Sequence, residues 1–361
     1  MTKNVAVISL LLFVVQVAAL PAQSNIRQRR FAADSFWVGV WQRGYTEEPD
    51  LVVEPRDLAV VGNRLIVLDA GTREVLVVDA TTGKLLRKLE ARGSGPGEFK
   101  RPGTITAMTR GFGILDQENQ RFSALSLDGK LLWDAPAPGL SAVACAHSPT
   151  AVTWKTGGVR NAVVVVDSSG RTTATRSLPW TQQGREELST SAVAAGPSNT
   201  GTCVFARRYG NDFVLMTASG AQSNHKYIEN VPEPQVVVQR TTLERSGNSS
   251  VVQQTERTNA VSSALRAMVV RDTLIVLFAG ATNDKYRLLD YYHLPSGQYV
   301  YSRRLRAPAV AIASSNGVFF VSEIMEEYAG FFALKPSYTK PSAPKKAPAK
   351  VTHSPNTIAH H

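Results

Sequence analysis

Short apolar runs closed by turn residues recur along the chain. The clearest set comprises Leu58–Val61, Arg64–Asp69, Glu74–Asp79 and Lys84–Leu89. The residues between these runs are rich in Gly, Asn and Thr, which is typical of tight hairpin turns. This pattern predicts four strands in one antiparallel meander. A meander with two apolar faces has to stack on copies of itself to bury them.

Copies of this meander follow along the rest of the chain. They lie at residues 105–133, 141–170, 203–220, 273–298 and 309–334. The last copy stops before a fourth strand, so the sequence shows five full units and one short unit. The repeat predicts an all-β fold, a six-bladed β-propeller of four-stranded antiparallel blades.

The short sixth unit needs an outer strand from elsewhere in the chain. We expect the segment Asp50–Glu54, just before the first unit, to supply it and to place both chain ends in one blade. Such an N-terminal strand closes the ring and removes the unpaired strand edges that an open row of blades would leave.

The connector after the first unit carries a recognisable motif. Residues Gly93–Pro102 contain G-x-G-P-G-x-F, and the second strands end in Val67-Leu68-Asp69 and Ile114-Leu115-Asp116. These features resemble the connector and the V-x-D strand ending of NHL-repeat propellers over residues 55–135. The later units lack both. The resemblance implies a six-bladed propeller that most members use for binding, with a minority of enzymes on related scaffolds.

Composition divides the chain into four segments. Residues 1–22 have a lysine, a short apolar run and small residues in the order of a signal peptide, with an uncleaved membrane anchor as the alternative. A lead-in at 23–49 precedes the propeller at 50–335. The tail at 336–361 is rich in proline and lysine and is expected to be extended and mobile. We therefore expect an exported protein, periplasmic or extracellular.

The formal charge of +11 lies mostly in the ends of the chain. Lys3, three arginines in the lead-in and four lysines in the tail contribute eight of these charges, so the propeller body is near +3. A basic pI that comes from the ends does not favour a nucleic-acid partner. The tail is either a solubilising end or an arm that contacts an anionic envelope surface.

Signals for catalysis are weak. The histidines are scattered, no H-x-x-x-H, C-x-x-C or G-x-S-x-G occurs, and we expect no catalytic residue, metal or cofactor. Propeller enzymes that resemble calcium-dependent lactonases gather acids and amides around a central ion. The residues that could do so here are Asp57, Asn63, Asp69, Asp116 and Glu323. The alternative, which we favour, is that acids at strand ends accept hydrogen bonds from their own turns.

The only two cysteines, Cys145 and Cys203, fall in the third and fourth units. In an exported chain they could form a disulfide between neighbouring blades, and two isolated thiols are equally compatible with the sequence.

One face of the disc collects the turns between second and third strands and the connectors between blades. It also receives the long connector at 232–262, which we expect to be irregular and to act as a flap for a partner or to be disordered. The candidate binding residues on this face are Arg207, Arg208, Tyr209, Glu323, Glu326 and Glu327.

Mixed charge on one face favours a protein, a peptide or a small polar ligand as the partner. We expect a monomer that acts as a non-catalytic binding or scaffolding propeller. The alternative is a metal-dependent hydrolase or lyase with its site in the central channel.

Overall fold

A computed structural model describes most of the chain. It covers residues 32–33, 36–137, 140–147, 150–155, 162–167, 169, 171–180, 192–196, 201–217, 219–232, 235–245, 248–258, 261–280, 282–324 and 328–337. Within these residues no helix is long and apolar enough to cross a bilayer.

The described elements are all strands. β1 (Ala32–Ala33) and β2 (Phe36–Gly44) precede the repeats. Blade 1 contains β3 (Pro55–Val61), β4 (Arg64–Asp69), β5 (Glu74–Asp79) and β6 (Leu85–Glu90). Blade 2 contains β7 (Pro102–Met108), β8 (Gly111–Asp116), β9 (Arg121–Leu125) and β10 (Leu131–Pro136). Blade 3 contains β11 (Leu140–His147), β12 (Thr150–Lys155), β13 (Ala162–Val166) and β14 (Thr172–Ser177).

The second half repeats this order with one insertion. Blade 4 contains β15 (Ala192–Ala195), β16 (Cys203–Arg207), β17 (Asp212–Met216) and β18 (Gln222–Lys226). β19 (Gln235–Arg245) and β20 (Asn248–Thr258) follow. Blade 5 contains β21 (Ala264–Val270), β22 (Thr273–Phe278), β23 (Leu288–His293) and β24 (Gln298–Arg304). Blade 6 contains β25 (Ala311–Ser315), β26 (Val318–Ile324) and β27 (Ala329–Ser337).

The inner strands of the blades form a closed ring. Each contacts the next in the order β3, β7, β11, β15, β21 and β25, and β25 returns to β3. Each of the six sheets contains a four-stranded antiparallel meander, and β1 adds a fifth, parallel strand beside β24 in blade 5. The prediction of a six-bladed propeller is confirmed.

The strand that closes the ring is β2, so the prediction of Asp50–Glu54 is wrong. β2 pairs antiparallel with β27, from Phe36 opposite Ser337 to Gly44 opposite Gly330. The Asp50–Glu54 segment turns instead, because the backbone amides of Val53 and Glu54 both donate to the Asp69 carboxylate at 2.8 Å. The closing strand therefore lies in the segment predicted as a lead-in.

Aromatic packing explains why β2 takes the closing position. Trp37 is buried against Phe319, with ring centroids 5.4 Å apart, and its indole nitrogen donates to the carbonyl oxygen of Arg304 at 2.7 Å. Trp41 packs on the other side of the sheet against Phe331. Two large aromatic residues bury far more apolar surface than the three aliphatic residues of the predicted segment.

The long connector contains regular structure, in contrast to the prediction of an irregular excursion. β19 and β20 pair antiparallel along their whole length, from Gln235 opposite Thr258 to Arg245 opposite Asn248. The valine runs in both strands favour this extended backbone. The hairpin belongs to the connector between blades 4 and 5.

Two acids that end second strands bind the incoming connector. Asp69 accepts the amides of Val53 and Glu54 and that of Gly71 in its own turn. Asp116 does the same in blade 2, where it accepts the amides of Lys100 at 2.6 Å and Glu118 at 3.0 Å. The bonds to Gly71 and Glu118 are the own-turn bonds that the alternative predicted, whereas the bonds to the connector, which fasten a blade to its neighbour, were not predicted.

The last strand is longer than predicted. β27 continues to Ser337, two residues into the segment predicted as tail. Residues 338–361 lie outside the described part of the chain.

Candidate binding site at the centre of the ring

The connector face is the side of the disc that carries the connectors between blades and the turns between second and third strands. At this end of the central channel lies a cavity of about 490 Å³, the channel cavity. The first halves of β3, β7, β15, β21 and β25 line it, together with Gln117, Arg208 and Ile324 from the connector face. The cavity therefore lies where five inner strands converge.

An ion pair spans the channel beside this cavity. Arg266 of β21 reaches across from blade 5 to blade 1, and its Nε lies 3.2 Å from Oδ1 of Asp57 on β3. Its guanidinium also donates to the carbonyl oxygen of Arg56 at 2.7 Å. The other carboxylate oxygen of Asp57 accepts the amide of Ile105 in blade 2 at 3.0 Å. One buried pair thus connects three blades.

Burial raises the pKa of Asp57, and the Arg266 guanidinium and the backbone amides of Ile105 and Leu58 oppose that rise. An ionised carboxylate at this depth needs such partners, because transfer of a charge out of water is costly. The arrangement indicates a structural role for Asp57.

Among the described residues that line the channel cavity, arginines outnumber acids. The charged residues among them are three arginines, Arg56, Arg208 and Arg266, and two acids, Glu54 and Asp57. Arg56 is bound to Glu54 through its Nε at 3.0 Å, and Arg266 is bound to Asp57. Arg208 is the third cation, and it is half-buried in the turn between the second and third strands of blade 4.

The predicted neighbours Arg207 and Arg208 have different environments. Arg207 is buried, its Nη1 lies 3.1 Å from Oδ1 of Asp212, and its guanidinium lies over the Trp180 ring at 5.9 Å. The hydroxyl of Tyr227 donates to its carbonyl oxygen. Arg207 is therefore part of the core of blade 4, whereas Arg208 lines the channel cavity.

The other described residues of the predicted set do not line the channel cavity with Arg208. Tyr209 is half-buried beside it in the same turn. Glu323 is buried at the end of β26 and lines a different cavity. Glu326 and Glu327 lie outside the described residues. The described members of the predicted set therefore do not form one site.

The metal alternative depends on a cluster of acids, amides or imidazoles. In the described part of the chain, no group of three or more His, Cys, Asp and Glu residues could hold a metal ion. Asp69 and Asp116 bind backbone amides, and the amide of Asn63 donates to Asp79 in its own blade at 3.4 Å.

Of the two cysteines in the predicted pair, the structure describes the side chain of Cys203. This residue is buried in β16 and disulfide-bonded. The side chain of Cys145 lies outside the described residues. A bridge between blades 3 and 4 stays a prediction.

Sequence reasoning did not pair Asp57 with Arg266. Each is the third residue of an otherwise largely apolar inner strand. A charged residue at the same position in two inner strands of one ring is a signal that could have indicated the contact.

Comparison with known proteins supports the architecture. A family model described as a 6-bladed beta-propeller matches residues 45–172. This match contains residues 55–135, whose connector and strand endings resemble NHL-repeat propellers, and it confirms a propeller of that general kind. No curated protein matches the sequence.

Solved structures share the fold at very low sequence identity. Virginiamycin B lyase from Staphylococcus aureus superposes with a TM-score of 0.52 at 9% identity, over 84% of this chain and 99% of that one. An exported protein from Bacteroides fragilis gives 0.52 at 11%, over 84% and 95%. A duf4221 family member from Bacteroides vulgatus gives 0.50 at 8%, over 84% and 99%. These likenesses concern the fold alone.

Proposed function

We propose that this protein is a non-catalytic binding propeller that holds a protein, a peptide or a small polar ligand at the connector face. The observation that carries this proposal is the channel cavity, about 490 Å³ in volume and lined by both apolar and charged side chains. Concave sites of this size with a few convergent polar groups are the usual form of ligand sites in proteins.

The balance of charge in the channel cavity favours an anionic group on the ligand. Among the described residues that line it, three arginines, Arg56, Arg208 and Arg266, accompany two acids, Glu54 and Asp57. A carboxylate or a similar anion suits an arginine fork through paired N–H donors. We therefore infer that the partner presents an acidic group to Arg208.

The β19–β20 hairpin supports partner binding at this face. It forms part of the connector between blades 4 and 5, and at the end of that connector the amide of Ser263 donates to the carbonyl oxygen of Arg208 at 2.7 Å. Long insertions on a rigid scaffold commonly carry function. We propose that the hairpin is a flap beside the bound partner.

Capture from a cell-envelope extract tests the proposal. Immobilised wild-type protein and Arg208→Ala would be exposed to the same extract, and the retained molecules identified by mass spectrometry. The matched control is Arg110→Ala, because Arg110 is an exposed arginine in the turn between β7 and β8, on the opposite face. We expect a species that wild type and Arg110→Ala retain and Arg208→Ala does not. The same retained set for all three proteins would contradict the proposal.

Association kinetics then test how Arg208 acts. If its charge steers the partner, Arg208→Ala slows association more than it speeds dissociation. The wild-type rate also falls between 0.1 M and 1 M salt, because the Debye length shrinks from about 10 Å to about 3 Å. Metal analysis of the same preparations addresses the hydrolase or lyase alternative.

Export is part of the proposal, on the basis of the order of charged, apolar and small residues in 1–22. Mass spectrometry of protein recovered from the periplasm or the medium would test it. We expect an N-terminus near Gln23, and an uncleaved N-terminus at Met1 would contradict a removed signal peptide.

A further inference from the structure

A second cavity lies between the connector that joins blades 5 and 6 and the outer strands of blade 6. This blade 5–6 cleft has a volume of about 470 Å³. Its lining residues are Gly39, Val40, Trp41, Gln42, Tyr45, Leu305, Arg306, Ala307, Glu323, Phe332, Ala333 and Leu334. These described residues are largely apolar, and the acid among them is Glu323.

The strand β2 leaves the cleft open at Gly39. A Cβ atom added to Gly39 would have no heavy atom within 4 Å, so the glycine leaves room beside the strand. Phe332 and Leu334 lie on the facing strand β27, and Gly39 is directly opposite Leu334. These walls suit an apolar stem of a bound molecule.

Glu323 supplies negative charge to the cleft. The residue is 5% exposed, and its Oε2 accepts a hydrogen bond from the Tyr45 hydroxyl at 3.3 Å. Among the residues that the structure describes, no Arg, Lys or His forms an ion pair with it. Burial raises the pKa of Glu323, and the Tyr45 hydrogen bond opposes that rise. The carboxylate therefore lacks the internal cation that Asp57 has.

The structure holds Tyr45 in an unusual conformation. Its φ is 59°, in the left-handed region that bulky residues rarely adopt. Its ring lies against Gly330, where an added Cβ would approach a ring carbon at 2.3 Å. Glycine at position 330 thus allows the ring to lie where its hydroxyl reaches Glu323. Residues with such backbone strain cluster at functional sites.

Arg306 is the cation among the described residues that line the cleft. It is exposed, and its Nη2 donates to the carbonyl oxygen of Trp37 at 2.7 Å. The guanidinium is thereby held at the backbone of β2 and leaves the negative charge of Glu323 unneutralised.

We propose that the blade 5–6 cleft binds a small organic ammonium ion, with the ammonium group at Glu323 and the apolar stem between Gly39, Phe332 and Leu334. A charge-assisted N–H···O hydrogen bond would supply the counter-charge that Glu323 lacks. The nearby Tyr45 ring adds an aromatic surface of the kind that attracts cations. This site is separate from the channel cavity, and the proposal does not depend on a partner at Arg208.

Calorimetric titration with 2-phenylethylammonium tests the proposal, with the neutral 2-phenylethanol as its isostere. We expect wild type to bind the ammonium ion at least about tenfold more tightly than the alcohol, which corresponds to about 1.4 kcal/mol. Glu323→Gln should reduce ammonium binding to the level of the alcohol and leave alcohol binding unchanged. The matched control is Glu118→Gln, because Glu118 is an exposed acid on the connector face, and it should bind both probes as wild type does.

A variant that fills the cleft tests whether the probes bind there or at another acidic residue. Gly39→Leu should fill the cleft and weaken binding of both probes, while circular dichroism and the melting temperature report that the propeller is intact. The proposal would be overturned by equal affinity of wild type for the two probes, by unchanged ammonium binding in Glu323→Gln, or by unchanged binding in Gly39→Leu. Binding of a lysine-containing peptide without binding of the small amine would also overturn it.

Discussion

Asp57 and Glu323 are two buried carboxylates near the same face of the propeller, in opposite electrostatic situations. Asp57 has a half-buried arginine, Arg266, 3.2 Å away and accepts two backbone amides. Glu323 has one hydrogen bond from a tyrosine hydroxyl. Because buried charge is stable only when it is compensated, the first carboxylate is a fastening between blades. The second is available to a cation from outside.

The two cavities differ in the same way. In the channel cavity, the described acids bind arginines of the same cavity. In the blade 5–6 cleft, the single acid stands without an ion pair among the described residues, and Arg306 is bound to the β2 backbone. The two proposed sites therefore differ in whether their described acids are paired with an arginine.

Replacement of Arg266, the arginine that pairs with Asp57, should have the largest effect on the free energy of unfolding. Arg266→Met leaves Asp57 buried without its counter-ion, and breaking a buried pair by loss of one partner costs about 3–5 kcal/mol. Urea denaturation at neutral pH measures this loss. The variant should recover part of it in acid, where Asp57 becomes protonated. A loss below about 1 kcal/mol at neutral pH would show that the pair contributes little.

Glu323→Gln should stabilise the protein at neutral pH, by about 1.4 kcal/mol for each unit by which the pKa of Glu323 is raised on folding. A carboxyl whose pKa is raised in the folded state binds its proton more tightly there than in the unfolded chain. The contribution of Glu323 to the stability of the wild-type protein is therefore present below the ordinary pKa of 4.5. It is lost as the pH rises through the raised pKa. The gain of the variant over wild type should appear only above pH 4.5. A gain that is the same at pH 3 and pH 7 would contradict an electrostatic origin.

Tyr45→Phe should have the smallest effect, a loss of about 0.5–1 kcal/mol, because it removes one long hydrogen bond to Glu323 and keeps the packed ring. The loss should disappear in the Glu323→Gln background if the hydroxyl acts on the carboxylate charge. A double-mutant cycle measures this coupling. Equal losses in both backgrounds would mean that the hydroxyl acts elsewhere.

The repeated meanders could be predicted from sequence because each strand and turn is a local pattern. The closing strand could not be predicted from local patterns, since β2 and β27 are nearly 300 residues apart in the sequence. Their pairing depends on the packing of Trp37 against Phe319. The run of aromatic and β-branched residues in Phe36–Trp41 was nevertheless a stronger strand signal than Leu51–Val53.

The candidate site was harder to predict than the fold. Arg207 and Arg208 are neighbours in sequence, and one lies in the core while the other lines the channel cavity. Sequence alone does not specify this choice, because it depends on how the strand enters its turn and on the partner Asp212. Glu323 was correctly placed at the end of a second strand, but its separation from the channel depends on which side of blade 6 it faces.

The most direct test of the contrast between the two carboxylates is a pH titration of their side-chain carbons by carbon-13 NMR, in wild type and Arg266→Met. We predict that the pKa of Glu323 lies above the ordinary value of 4.5 in both proteins, and that loss of Arg266 raises the pKa of Asp57 without changing that of Glu323. Titration of Glu323 at or below 4.5, or an unchanged Asp57 in the variant, would contradict the assignment of one compensated and one uncompensated buried carboxylate.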